Sequence, residues 1–158
     1  MQQFWQVVIG DWPETSDLLV ITFRLLLAAL VGALPGYQRE HMGVAAGLRT
    51  HMLVSLGSAI FVLAALESGA TDNDVTRVIQ GLATGIGFVG AGAILKSAQS
   101  HEIHGLTTAA SIWLTAGLGT AVGLGRIWIP LLGSALALFI LSFLRRFESH
   151  MPDKSKVA

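Results

Sequence analysis

Ile127-Trp-Ile-Pro-Leu-Leu-Gly-Ser-Ala-Leu-Ala-Leu-Phe-Ile-Leu-Ser-Phe-Leu144 contains no ionisable side chain, and it is bracketed by Arg126 and by Arg145-Arg146. A helix rises ~1.5 Å per residue, so a hydrocarbon layer of ~30 Å asks for about 20 mostly apolar residues, and this stretch comes close. Four stretches upstream have the same character, approximately Leu18 to Pro35, Thr50 to Leu66, Val75 to Leu95 and Leu106 to Leu124. Little of the 158-residue chain remains between them; it is 53% hydrophobic and only 13% charged, with a mean hydropathy of +0.64. That is not the make-up of a soluble domain. The expected fold is all-α, a polytopic transmembrane bundle of about five spanning helices, with the lipid bilayer as its solvent.

Lys and Arg are retained on the cytoplasmic side of a membrane, so their distribution between spans sets the orientation. One set of alternating connections carries Arg39, Arg49, Lys96, Arg145, Arg146, Lys154 and Lys156, and the other only Arg77 and Arg126. The expectation is N-out and C-in, which requires an odd number of helices and agrees with five. Residues 1–147 then form one transmembrane domain and 148–158 a short polar cytoplasmic tail. Ahead of the first span, Phe4, Trp5, Val8, Ile9 and Trp12 fall on one helical face, which reads as a short interfacial helix, the alternative being an unstructured terminus with aromatics. The charges before Leu18 are Asp11, Glu14 and Asp17, unlike the basic start of a secretory signal.

Zero formal net charge and the absence of a basic tract argue against a nucleic-acid partner. Cysteine is absent, which removes disulfides, thiolate metal sites and cysteine nucleophiles together. Gly85-Ile-Gly-Phe-Val-Gly90 matches the dinucleotide-binding pattern in letters only, since it lies inside a spanning helix and not between a strand and a helix. His101-Glu-Ile-His104 places its histidines three apart, where a zinc-protease helix needs four. The histidines His41, His51, His101, His104 and His150 all fall on the cytoplasmic side, where a metal or proton-sensing role is open, but they read as solvated loop histidines because no ligand constellation with recognised spacing supports a site. No cofactor is implied, a metal site stays open, and no nucleophile, acid-base pair or metal centre at diagnostic spacing supports an enzyme.

Glycines recur four apart as Gly32 with Gly36, Gly81 with Gly85 and Gly119 with Gly123, the spacing that lets membrane helices approach closely. Gly81, Gly85, Gly87, Gly90 and Gly92 give the third helix a nearly smooth face, suited to the centre of the bundle and to helix packing between copies.

Several ordered motifs then combine. Gly36-Tyr-Gln-Arg39-Glu40, Ala46-Gly-Leu-Arg49-Thr50-His51-Met-Leu-Val-Ser55, Asp74 with Arg77, Gly85-Ile-Gly-Phe-Val-Gly-Ala-Gly92, and Gly105-Leu-Thr-Thr-Ala-Ala110 leading to Trp113 cover roughly Gly32 to Gly125. In these the chain resembles the MgtC/SapB family. The resemblance implies a multi-pass bacterial inner-membrane protein associated with low-magnesium, acid or host-cell stress. It also implies a cytoplasmic regulatory domain in many members, for which this sequence offers no counterpart after the fifth helix. Gln38 and Thr107 depart from the family pattern, which has glutamate and, in some members, asparagine there.

Arg24 lies inside the first span, ~9 Å from its start, deep enough to need either a carboxylate among Glu67, Asp72 and Asp74 or an escape to the interface. Asp74 and Arg77 begin the third span, where a carboxylate caps amides or contacts a cation. On the cytoplasmic side Arg39, Glu40, Arg49, Thr50, His51, Lys96, Thr107 and Thr108 gather near two helix N-termini, a candidate surface for an anion or an acidic partner. Gln80, Thr84, Ser111, Thr115 and Thr120 are expected to hydrogen-bond across helices. The preferred reading is a non-enzymatic, homo-oligomeric modulator of ion homeostasis or of another membrane protein, and the alternative is a transporter or channel for magnesium or another ion.

Overall fold

A computed structural model describes residues 14–96 and 103–144. The described residues fold as five α-helices: α1 Thr15–His41, α2 Leu48–Glu67, α3 Asp72–Gly92, α4 Leu106–Gly123 and α5 Trp128–Phe139, the last running on into a π-helical turn at Ile140–Leu144. The suggested interfacial helix lies outside the described residues, as do His101, His150 and the polar tail.

Helices α1, α2 and α4 are long and apolar enough to cross a membrane. The expected first span stopped at Pro35, yet α1 continues through it to His41. Proline removes one backbone donor and clashes with the preceding turn, but a membrane helix tolerates it where neighbours pack closely, and Pro35 is fully buried. Glycine ends the helices cleanly. After α2 the amides of Gly69 and Ala70 donate to the carbonyls of Leu66 and Ala65, and after α4 those of Gly125 and Arg126 donate to Val122 and Ala121. Both are Schellman closures, with Gly69 at φ +74° and Gly125 at φ +76°.

Helix α4 is the axis of the bundle and packs against the other four, while α1 and α2 form the most extensive pair. Glycine permits these approaches. A Cβ on Gly32 would sit 2.7 Å from the Ser55 Cβ, one on Gly36 2.9 Å from the Leu48 Cα, and one on Gly123 2.9 Å from the Val62 Cβ. A Cβ on Gly119 would run into the Ser55 carbonyl oxygen. Two glycine pairs, on α1 and on α4, thus grip α2, and Ala28, Val31, Ala59, Leu118 and Val122 fill the space between.

The expectation that α3 lies at the centre is corrected. Only Val75 and Gly90 of this helix are buried, and a Cβ added at Gly81, Gly85, Gly87 or Gly92 would meet nothing. A smooth face allows close packing without specifying a neighbour, and within one chain α3 touches α4 along a limited strip, Gly90 against Ala109. The expected third span also ends early: Leu95–Lys96 pairs antiparallel with Ile103–His104 in a small β-ribbon before α4.

Candidate functional site

The C-terminal end of α1 and the N-terminal ends of α2 and α4 meet at one end of the bundle. Arg39 was expected in a loop; it sits in the last turns of α1, buried, with Nη2 donating to the Thr108 hydroxyl in the first turn of α4. His51, one turn into α2, is completely buried. Its Nδ1 lies 2.9 Å from the Gly47 carbonyl oxygen and its Nε2 3.2 Å from the Ser111 hydroxyl of α4. Ser111 lies 2.8 Å from the Thr108 carbonyl oxygen, which closes a chain of contacts from Arg39 through Thr108 and Ser111 to His51.

The hydrogen-bond inventory of that chain is tight. The Gly47 carbonyl can only accept, so Nδ1 carries a proton. Ser111 has a single hydroxyl proton, which goes either to His51 Nε2 or to the Thr108 carbonyl, so its direction is coupled to the second ring nitrogen. The junction therefore joins three helices by polar contacts in a place where unsatisfied groups are costly.

Glu40 has a role that its grouping with a cationic surface did not anticipate. Its carboxylate accepts from the Leu48 amide at 2.6 Å and lies against Gly47, where a Cβ would collide with it. An internal carboxylate thus already occupies the first free amide of α2, the place an external anion was expected to take. The remaining candidates divide by exposure: Arg49 and Thr107 face outward, Thr50 is half-buried, and the Lys96 backbone belongs to the β-ribbon.

Among the intramembrane polar residues, Ser111 reaches across to another helix. Thr84, Thr115 and Thr120 instead donate to the carbonyls of Gln80, Ser111 and Ala116, each four residues back in the same helix, and Gln80 is exposed. Their expected cross-helix bonding is corrected on that ground: a threonine hydroxyl in a helix finds its own backbone first. Ser55 was not singled out in the sequence beyond its motif. It is fully buried between Gly32 and Gly119.

At the opposite end, Arg24 does not reach Glu67, Asp72 or Asp74. Its Nη1 donates to the Gly123 carbonyl oxygen at 3.1 Å, at the C-terminus of α4. Carbonyls there lack intrahelical donors and carry the negative end of the helix dipole, so the backbone supplies the counter-charge that a carboxylate was expected to give. Asp74 closes a capping box with Thr71: the Thr71 hydroxyl donates to its carboxylate at 2.6 Å, the Thr71 amide at 3.2 Å, and the Asp74 amide returns a bond at 3.4 Å. These bonds hold the Asp74 carboxyl below the usual carboxylate range, the Thr71 hydroxyl contributing most. Arg77 makes a loose exposed pair with it at 3.9 Å.

The MgtC family profile matches residues 25–150. Protein SrpB of Synechococcus elongatus is 43% identical over 150 residues, covering 88% of this chain and 79% of that protein. The putative magnesium transporter YhiD of Escherichia coli K12 is 36% identical over 148 residues, covering 89% of this chain and 66% of its own length. Protein MgtC of Salmonella typhimurium is 40% identical over 103 residues, covering 65% of this chain and 43% of that one. No solved structure matches.

Proposed function

Because the chain belongs to the MgtC family, we propose that it is a multi-pass protein of the bacterial inner membrane that serves magnesium homeostasis under stress by acting on another membrane protein. In this reading the Arg39 end faces the cytoplasm, in keeping with the excess of Lys and Arg in the connections on that side. The observation that carries it is the buried junction of Arg39, Thr108, Ser111 and His51. Polar side chains of a conduit line a wet route, whereas these face one another and lock three helices together. The junction is then a rigid base, and the exposed Arg49 and Thr107 around it form the surface for an acidic partner. The apolar groove between α2 and α3 is lined by residues such as Leu53, Phe61 and Ile86, and no charged side chain enters it.

The test joins crosslinking to flux. A photoreactive side chain at Arg49 or Thr107 in native membranes should capture one recurrent membrane protein, and Arg49→Ala should weaken the association of that protein with the unlabelled chain. The same purified chain in liposomes should pass no magnesium. A second reading, that the chain itself carries magnesium, is favoured by the description of the Escherichia coli relative as a putative magnesium transporter. Magnesium entry into liposomes that depends on Asp74 or Arg39 would replace the first reading with the second.

A further inference from the structure

Arg24 uses one of its five N–H donors on the Gly123 carbonyl, and among the described residues no carboxylate forms an ion pair with it. Its guanidinium lies in a cavity of about 350 Å³ between α1 and the corner joining α4 to α5, walled by Val20, Phe23, Leu27, Val122 and Ile127. Gly125 forms the floor beside it: a Cβ there would come within 2.8 Å of Arg24 Nη2. The volume falls in the range of about 300–1,000 Å³ typical of small-molecule sites. Two larger grooves, between α2 and α3 and between α1 and α5, contain no charged side chain, so nothing in them selects an occupant.

The chemistry of this cavity is that of an amphiphile's receptor. Side chains of a helix lean toward its N-terminus, so Arg24 reaches back along α1 to the level where α4 ends and α5 begins. Arg126 and Trp128 are exposed at that same corner, a second cation and an interfacial indole. Unsatisfied guanidinium donors at the edge of hydrocarbon are costly, and a phosphodiester accepts them two at a time. Phe23 and Leu27 then offer an apolar track running inward from the charge.

We propose that this cavity binds one anionic phospholipid, its phosphate on Arg24 and one acyl chain along Phe23 and Leu27. The charge requirement comes from Arg24, and the tail requirement from the apolar walls. The site is independent of any partner at the Arg39 end.

The full chain, purified in neutral detergent, is offered phosphatidylglycerol, phosphatidylcholine or inorganic phosphate, and retained molecules are counted by native mass spectrometry. One phosphatidylglycerol per chain should be held in preference to phosphatidylcholine by about tenfold, the ratio expected from roughly 1.4 kcal/mol of charge-assisted bonding. Arg24→Gln should abolish the preference. Since that change also uncaps α4, Val20→Trp provides the second arm, filling the cavity while keeping the Arg24–Gly123 bond; it should lose the lipid with parental helicity. Equal retention of the two lipids, or phosphatidylglycerol held undiminished by Val20→Trp, overturns the site. Displacement of the lipid by inorganic phosphate overturns it too, because a receptor for a free anion has no use for a tail.

Discussion

Gly119 and Gly85 look alike in the sequence, each a glycine in an apolar helix with another glycine four residues away. Their surroundings are opposite. A Cβ on Gly119 collides with the backbone of Ser55, and one on Gly85 meets nothing. Backbone cannot rotate aside as a side chain can, so Gly119→Ala should push α2 and α4 apart and cost at least about 2 kcal/mol. In detergent that keeps the chain monomeric, Gly85→Ala should be neutral or stabilising by up to about 1 kcal/mol, since the space around it within one chain is open and alanine loses less chain freedom on entering a helix. Thermal unfolding of the two variants in the same detergent checks the contrast; equal midpoints would mean that the grip of the glycine pairs on α2 is unimportant. The same pair shows what was legible at this scale. The small-xxx-small spacing was plain, but whether such a face meets a helix or lipid depends on tertiary neighbours that a local pattern does not encode. Arg24 teaches the same lesson: its need for a partner followed from depth alone, yet the partner is a main-chain carbonyl, which has no letter in the sequence.

At the scale of the element, helix ends explain most of the differences between expectation and structure. Hydropathy located α1, α2, α3, α4 and α5, but it is blind to caps. The third helix begins at Asp72 and not at Val75 because the Thr71–Asp74 capping box recruits polar residues into its first turn. The second begins at Leu48 with the Glu40 carboxylate on its first amide. The capping box makes the start of α3 responsive to pH. The Asp74 carboxyl is held below its ordinary value, so its contribution is complete above the ordinary carboxylate range and is lost as pH falls through the lower folded value. The protection of the Asp74 and Val75 amides, their exchange rates taken relative to the intrinsic rate at each pH, should fall on acidification across that window and stay constant above it. Asp74→Asn should flatten the pH dependence while raising exchange at neutral pH, where the charge otherwise favours the helix N-terminus. Protection that is indifferent to acid in the parent chain would show that the cap does not hold the helix start.

Across the whole molecule, α3 presents the remaining problem. Helices α1, α2 and α4 have the length and hydropathy to cross a bilayer; α3, with 21 residues, has the length but is less apolar, and it lies at the edge with Gln80 and Thr84 exposed. A helix at the edge meets lipid, where exposed polar side chains are unfavourable, and its open glycines leave room for a close neighbour. Both features are relieved if α3 packs against the α3 of a second copy, which is the homo-oligomer proposed from the glycine pattern. The chain contains no cysteine, so single cysteines report contacts without background. Gly85→Cys should form a disulfide between copies in native membranes under mild oxidation. Leu136→Cys, on the exposed apolar face of α5, should remain monomeric and sets the rate of chance encounters in lipid. Joined chains should accumulate at least about tenfold faster for Gly85→Cys, because a packed interface holds the two thiols together where diffusion must otherwise bring them. If both variants link at the same rate, α3 faces lipid or a different protein, and its smooth surface must be explained by that partner.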